Sequence, residues 1–234
     1  MQLYGAQFGN KHTLRDWGMY IVNRQDIKPP EPKKIMIDIP GGNGSLDLTE
    51  ALIGEVVYEN REIECEFYVI GGETLWSGLY SEILAYVHGK RMKIVFDDDS
   101  SYYYMGRVSV DQWKSSRQHS VITINIDADP FKYELNPYGE DWLWDPFDFV
   151  YGEIYDSTVT ISGTTVVPLT IRQMPVIPTF LPNAAMTVTH QGSTYNLPAN
   201  KETKVYDIRL TEGVQNLTFV GNGSVKILFT NGVL

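Results

Sequence analysis

The alternation of apolar and polar residues predicts that β-strands make up most of this chain. The clearest examples are Ile63–Ile70 and Ser120–Asp127, in which every second residue is apolar, so each segment is expected to bury one face. Cys65 lies on the apolar face of the first segment and is therefore expected to be buried. The segment with apolar residues at helical spacing is Thr74–Val87. The pattern thus predicts an α+β domain with one helix in the first part of the chain.

Beyond Tyr151 the apolar residues fall into short β-branched runs that recur about every ten residues. Turn-forming residues, such as Ser162-Gly163 and Gly221-Asn222-Gly223, stand between the runs and are expected to form turns. This pattern predicts an antiparallel β-sandwich or jelly roll, which makes the whole chain mainly β. The runs are Thr158–Ile161, Thr165–Val167, Met186–Thr189, Thr194–Leu197, Lys204–Leu210, Gln215–Val220 and Ser224–Phe229.

Between these two regions lies an acidic and aromatic passage that begins near Asp129 and reaches Phe149. Periodicity disappears there for about twenty residues, which is long for a simple connection. We therefore predict two domains, residues 1–133 and residues 151–234, joined by an interdomain crossing at residues 134–150.

The chain of 234 residues is acidic, with 29 Asp and Glu, 19 Lys and Arg, and a net charge of −10. Tight binding of nucleic acid needs clustered cations that displace counterions, so it is not expected. No segment approaches the ~20 consecutive apolar residues of a membrane span, and no signal peptide is expected. A single cysteine excludes an intrachain disulfide.

No motif in the sequence supports catalysis. The four histidines are isolated, and neither an HExxH nor a GxSxG motif is present. The triple aspartate Asp97–Asp99 lacks the spacing of a calcium loop and is expected to be a solvated hairpin tip. We assign no catalytic, cofactor-binding or metal-binding residue, and we expect a protein that is not an enzyme and needs no cofactor.

The segment Ile35–Leu52 holds the most distinctive motif of the chain. Isoleucine at every second position predicts a strand that ends at Pro40, and a glycine-rich loop follows. The loop has neither the GxGxxG spacing nor the lysine of a phosphate-binding loop, so nucleotide binding is not expected. Glycines let two backbones approach closely, either within a chain or between subunits. The candidate subunit-contact residues are Gly41, Gly42, Asn43, Gly44 and Asp47.

The aromatic residues of the crossing passage, above all Trp142 and Trp144, support two interpretations. Exposed tryptophans beside carboxylates can stack on sugars, and the jelly roll is a common lectin scaffold. Alternatively, these side chains pack between the two domains or against a neighbouring subunit, and we favour this interpretation. The alternative function is therefore a carbohydrate-binding β-sandwich module for host cell-wall saccharides, with the two tryptophans as its platform.

Several motifs, taken in order, resemble the distal tail protein (Dit) family of long-tailed bacteriophages. The strongest is the run IPGGNGSLDLTEAL at residues 39–52. After it come a helix that ends in His88-Gly89-Lys90, the hairpin FDDDSSYYYMGRV, the domain closure DADPFKY and the terminal GNGSVKILFTNGVL. The likeness extends over nearly the whole chain.

This resemblance implies a homohexamer in which the first domain closes into a ring, the belt, and the second is a galectin-like sandwich outside it. Strands such as Ile63–Ile70 and Ser120–Asp127 could then continue a sheet from subunit to subunit. The ring is the baseplate or tail-tip hub at the distal end of the tail tube. It joins the tail tube protein to the tail-associated lysin or tail fibre and, in some phages, to receptor-binding proteins for host attachment.

The resemblance also implies that DNA passes through the lumen of the ring without specific binding, and that no membrane is involved. The expected location is the phage virion, after synthesis in the cytoplasm of the host bacterium.

Overall fold

The computed structural model describes residues 3–21, 26–51, 54–70, 73–115, 120–136, 138 and 158–234. The chain divides into two compact units, one formed by Met1–Asp99 with Tyr103–Pro130 and the other by Ser100–Tyr102 with Phe131–Leu234. Strands dominate the described residues, which confirms the predicted mainly-β fold class. The predicted domain limits and the role of the crossing at residues 134–150 stay predictions. Only residues 134–136 and 138 of that crossing are described.

The first unit contains one large antiparallel sheet and one long helix. Its elements are β1 (Ala6–Phe8), β2 (Lys11–His12), α1 (Thr13–Trp17), β3 (Met19–Ile21), β4 (Asp26–Ile27), β5 (Met36–Asp38), β6 (Ser45–Asp47), β7 (Arg61–Val69), α2 (Glu73–Val87), β8 (Arg91–Phe96), β9 (Tyr102–Ser115) and β10 (Ser120–Ala128). The strands follow the order β2-β1-β8-β9-β10-β7-β3, and β4 also pairs with β7. β5 and β6 stand apart and form a two-stranded sheet of their own.

The apolar face of the sheet and α2 enclose the core of the first unit. β7 buries every second residue, and Cys65 is 1% exposed, as the alternation predicts. The predicted helix is confirmed, since α2 ends at Val87 and adds the buried side chains of Trp76 and Ile83 to the same core. Complete burial of a large apolar side chain contributes about 1.5–3 kcal/mol. This packing fixes the helix on the sheet.

The expectation that β7 and β10 have open edges, through which a sheet could continue from subunit to subunit, is wrong. β10 lies between β9 and β7, and the other edge of β7 is occupied by β3 and β4. The two extra partners are only three and two residues long, and the sequence pattern does not show that they pair with β7. Where these strands are paired, their edges are not available to continue the sheet into another subunit.

The second unit is built on one curled six-stranded sheet. Its elements are β11 (Lys132–Glu134), β12 (Thr158–Ile171), β13 (Thr179–Pro182), β14 (Met186–His190), β15 (Ser193–Leu197), β16 (Thr203–Lys204), β17 (Gly213–Leu228) and β18 (Gly232–Val233). The order is β15-β14-β17-β13-β16, and β12 pairs with β17. The rings of Phe180 and Phe219 meet edge to face at 5.8 Å in its core. The galectin-like and jelly-roll assignments stay predictions.

Two turns predicted in the second unit are wrong, because β12 and β17 run through them as continuous strands. Ser162 pairs with Asn222, and Gly163 pairs with Gly221. The glycines of β17 instead allow close approach of neighbouring chain. A Cβ atom on Gly221 would lie 2.7 Å from Met186 Cβ, and one on Gly223 would lie 2.4 Å from an Asn183 oxygen. A glycine in a strand pattern therefore indicates a close approach of neighbouring backbone as often as it indicates a turn.

A candidate subunit interface on an exposed β-arm

Residues 35–48 form a hairpin, the β-arm, that contains β5 and β6. Within the arm Met36 pairs with Asp47, Ile37 with Leu46, and Asp38 with Ser45. Every residue from 31 to 47 is exposed, so the arm contributes nothing to the core of its own unit. An isolated two-stranded hairpin is marginally stable in water. The arm therefore has the properties of an element that is completed by another molecule.

The glycines at the tip of the arm have a conformational role. The Gly42 N–H donates to the Ile39 carbonyl oxygen at 3.0 Å, which closes a four-residue turn with Pro40 and Gly41 in its centre. Gly41 has φ +77° and Gly44 has φ +78°, in the left-handed region that side chains disfavour. Proline followed by a residue with positive φ meets the requirement of a type II turn. The sequence thus places glycine where the backbone needs it.

The base of the arm is fastened by side-chain hydrogen bonds around Asp47. One Asp47 carboxylate oxygen accepts from the Thr49 backbone N–H at 2.9 Å and from the Thr49 hydroxyl at 2.5 Å. These bonds, led by the hydroxyl, hold the pKa of the Asp47 carboxyl below its ordinary value. The Ile35 N–H in turn donates to the Thr49 hydroxyl oxygen at 3.2 Å. Thr49 thus joins the two ends of the hairpin.

The arm has one apolar face and one polar face. Ile37 and Leu46 are directly opposite one another, and strand alternation places Ile35 and Ile39 on the same side. These four side chains are 40–52% exposed. The other face carries Met36, with Asp38, Ser45 and Asp47. The isoleucine alternation in the sequence signals the apolar face, but it does not show that the face lies open to solvent.

The predicted contact residues divide between the two ends of the arm. Gly41, Gly42, Asn43 and Gly44 lie together in the exposed tip, and Asp47 lies near the base on the polar face. The apolar side chains between them, Ile35, Ile37, Ile39 and Leu46, are absent from the predicted set. The assignment of the glycine residues to a subunit contact stays a prediction.

Two of the described histidines, His12 and His88, take structural roles. His12 Nδ1 accepts from the backbone N–H groups of Leu14 and Arg15 at 3.2 and 3.4 Å and so caps α1. Its Nε2 lies 2.9 Å from Asp97 Oδ1, a pairing that the sequence does not reveal because 85 residues separate the two. His88 Nδ1 accepts from the Val110 N–H at 3.0 Å. Among the residues that the structure describes, no group of three or more His, Cys, Asp or Glu could hold a metal ion.

A cavity of about 490 Å³ lies on the polar face of the large sheet, beside β4, β7 and β10. Lys28 Nζ bonds to Glu62 Oε2 at 2.9 Å at its edge. The lining contains four carboxylates and one ammonium group. The lining residues are Asp26, Lys28, Asn60, Glu62, Ile63, Glu64, Ser109, Asn125, Ile126 and Asp127.

Two further sequence expectations concern aromatic residues and membranes. Trp142 and Trp144, the proposed sugar or interdomain platform, lie outside the described residues. Among the helices that are described, none is long and apolar enough to cross a membrane.

Comparison with solved structures gives an informative likeness. No protein-family model matches the chain, and no curated protein matches it. The crystal structure of SPP1 Dit, described as a paradigm of the hub adsorption apparatus in phages that infect Gram-positive bacteria, matches 100% of both chains with a TM-score of 0.63 and 15% identity. The chain has the fold of a phage distal tail protein. The Dit resemblance expected from the motifs is thereby confirmed for the fold. The candidate interface on the β-arm is inferred from the contacts and exposure of this chain's own residues.

Proposed function

We propose that this chain is a structural hub protein of a phage tail, which forms a ring of six copies at the distal end of the tail tube. The Dit fold over the whole chain supports the hub role, since SPP1 Dit is described as a hub adsorption protein. The observation that carries the proposal is the exposed apolar face of the β-arm. The number six comes from the resemblance to the Dit family.

The β-arm supplies a driving force for assembly. Ile35, Ile37, Ile39 and Leu46 are each close to half exposed in the single chain. Covering the exposed half of such a side chain contributes on the order of 1 kcal/mol, so four of them contribute a few kcal/mol to each contact. The same contact stabilises the marginally stable hairpin because it removes the apolar face of the β-arm from water.

The geometry of an arm favours a ring. An arm that docks on a different surface of the next copy makes a heterologous contact, and a heterologous contact forms a ring whenever its rotation closes. The glycine tip, Gly41–Gly44, has no side chain larger than that of Asn43, so the tip can enter a narrow groove between elements of the neighbour. We expect Asp47 to remain bonded to Thr49 and to keep the arm in its docking conformation.

The ring would serve as a passive connector. We expect it to bind the tail tube protein on one side and the tail-associated lysin or tail fibre on the other, with receptor-binding proteins attached in some phages. A net charge of −10 gives little attraction for DNA that passes through a lumen. The place of such a protein is the virion, after synthesis in the host cytoplasm, and its role is structural, without catalysis.

Light scattering after size exclusion, with negative-stain images of the same peak, tests the proposal. We expect a species of six times the 26.6 kDa chain mass, or a stacked pair of such species, with a ring-shaped outline. A chain that stays monomeric at every concentration would contradict a self-assembling ring.

Substitutions at Gly44 test the contact itself. Gly44→Val forces a β-branched residue into positive φ and is expected to distort the tip and reduce the fraction of rings. Gly44→Asn is the matched control, because asparagine tolerates the left-handed region, and it should preserve most of the assembly. Equal ring fractions for both variants and the wild-type chain would show that the tip is not part of the interface.

A further inference from the structure

The apolar face of the β-arm needs an apolar counterpart, and the first unit has one beside β3. Outside the arm, the strongly exposed large apolar side chains among the described residues of this unit are Leu3, Tyr4 and Ile70. The Ile21 N–H donates to the Tyr4 carbonyl oxygen at 2.8 Å, and the Ile70 N–H donates to the Gly18 carbonyl oxygen at 2.7 Å. All three exposed residues therefore flank β3, at one end of the strand order of the large sheet.

The outer face of β7 carries part of this apolar surface. The side chain of Val69 is buried in the core, so strand alternation places Tyr68 and Ile70 on the opposite, outer face. The rings of Tyr68 and Tyr20 stack on one another with their centroids 5.8 Å apart. Ile70 is 52% exposed. We call these three side chains, Tyr20, Tyr68 and Ile70, the outer patch.

A row of carboxylates leads up to the outer patch along β7. Glu62, Glu64 and Glu66 occupy the preceding positions on the same face of the strand. Glu62 bonds to Lys28, whereas Glu64 and Glu66 form no ion pair with any residue that the structure describes. In chain order, β7 thus presents unpaired negative charge and then apolar surface.

The β-arm presents positive charge and then apolar surface. Lys33 and Lys34 directly precede its apolar row, which begins at Ile35 and ends at Ile39. Lys33 lies 3.6 Å from Glu59 in an ion pair that is at least half exposed. Within the described part of the chain, Lys34 forms no ion pair. The lysines are therefore available to a partner that carries carboxylates.

The two surfaces also match in length. The chain advances six residues from Lys33 to Ile39, and six from Glu64 to Ile70. In extended backbone each of these segments spans ~20 Å. When the arm lies along β7 in the same direction, charge therefore meets opposite charge and apolar surface meets apolar surface.

The exposure of both surfaces identifies the occupant as a second copy of the chain. The arm does not cover its own outer patch, because Ile37 and Ile70 are both about half exposed in the single chain. Two copies with a net charge of −10 repel one another, and a contact between lysines and unpaired carboxylates offsets that repulsion locally. The second unit has no equivalent at its exposed Val166, since this residue lies on β12 and none of the fourteen residues of β12 is ionisable.

We infer that the β-arm of each copy docks on the outer patch of the next copy, with β5 parallel to β7. The two lysines then face Glu64 and Glu66, and the apolar row covers the patch. The hairpin packs face to face on the large sheet, at the ~10 Å spacing of two packed sheets. Arm and patch are different surfaces, so the contact is heterologous and can continue around a ring. The inference rests on the proposed ring and names the surface that receives the arm.

Paired cysteines test the docking on the full chain. Ile39→Cys together with Ile70→Cys places one thiol on each surface, and the native Cys65 is 1% exposed and does not compete. Mild oxidation of assembled rings is expected to give a ladder of disulfide-linked multimers up to six chains, because each copy bonds to both neighbours. The matched control combines Ile39→Cys with Tyr206→Cys, at a position of the second unit that is 72% exposed, and should give no ladder.

The outcomes of this experiment separate the docking surface from the ring. Rings that light scattering detects but that give no ladder, or that give an equal ladder with the control pair, would overturn the inference and leave the ring intact. Absence of rings in the wild-type chain would overturn the proposed function, and the inference with it.

Charge exchange gives a second readout that needs no crosslink. Glu64→Lys and Lys34→Glu are each expected to weaken the contact about two- to fivefold in a dilution series, because each variant brings like charges together. The double variant should recover most of the affinity. Glu202→Lys, at an exposed position of the second unit, changes the net charge equally and should not weaken the contact. A double variant without recovery, or an equal loss in Glu202→Lys, would overturn the docking surface.

Discussion

Ile37 and Leu46 face one another across the ladder of the β-arm, and about half of each side chain, 50% and 48%, remains exposed. A cross-strand apolar pair of this kind normally stabilises a sheet by lying against a core. Here it lies against none, because all residues from 31 to 47 are exposed. The solvent exposure of these two side chains should therefore decrease when other copies of the chain bind.

Ile37→Asp is expected to reduce the fraction of rings at a given concentration by about tenfold or more, since about 1–2 kcal/mol of apolar burial is lost at each contact. Light scattering over a dilution series measures the effect. Met36→Asp is the matched control, because Met36 is 52% exposed on the polar face of the same strand. Both variants should keep the thermal midpoint of the single chain, and an equal loss of rings in both would exclude a face-specific contact.

Asp47 gives the β-arm a dependence on pH. Hydrogen bonds from Thr49 hold the pKa of its carboxyl below the ordinary value, so their stabilising effect is fully present above that ordinary value and is lost as the pH falls through the lowered pKa. An NMR titration of the Thr49 amide shift is expected to show a midpoint below the ordinary value of an aspartate carboxyl. Asp47→Ala should abolish this titration, whereas Asp47→Asn keeps an acceptor for the amide. A midpoint at or above the ordinary value would contradict the bonded geometry.

Gly106 is a packing constraint in the large sheet. A Cβ atom there would lie 2.6 Å from Ile126 Cγ2 and 2.9 Å from the Ala128 Cα atom, and the second contact cannot yield because it is backbone. Gly106→Ala is expected to lower the free energy of unfolding by about 1–3 kcal/mol in urea titrations. Gly78→Ala is the control in α2, where nothing lies within 4 Å of the added atom. That change should stabilise the helix by up to about 1 kcal/mol.

The thiol of Cys65 is expected to be inert in the folded chain. Burial raises its pKa to about 12, so it carries almost no thiolate at pH 8. Reaction with an aromatic disulfide reagent should be undetectable in the native chain and complete after unfolding in guanidinium chloride. Ser45→Cys, on the exposed β-arm, should react within minutes in the native state. Rapid labelling of the native Cys65 would show that the core around β7 opens.

The sequence predicts those elements whose pattern is long and one-sided. The pattern identifies β7 and β10 because apolar residues recur at every second position along them. It identifies α2 because apolar residues recur at helical spacing over several turns. Strand β4 at the edge of β7 is missed because Asp26–Ile27 is only two residues long and shows no alternation. The sequence pattern predicts each of β12 and β17 as two short runs separated by a turn, because glycine occurs both in turns and where two backbones approach closely within a sheet.

The candidate site is predicted in part. The glycine pattern locates the tip of the β-arm, since Gly41 and Gly44 take the positive φ that the loop composition suggests. The apolar row that includes Ile37 and Leu46 is visible in the sequence as one apolar face of a strand, but its burial depends on what lies opposite in space. That information is carried by the tertiary structure, and the sequence pattern alone does not provide it.

The long ladder between β12 and β17 sets the order in which the chain can fold. It joins residues that are 42 to 68 positions apart, from Ile171 with Gly213 to Thr158 with Lys226. In the same unit, β14 and β15 instead form a tight hairpin, in which His190 pairs with Ser193. Distant pairing must first close a long loop, so it forms slowly. During synthesis the uncharged strand β12 therefore waits without β17 until Leu228 has left the ribosome, and its unpaired edge favours aggregation during that interval.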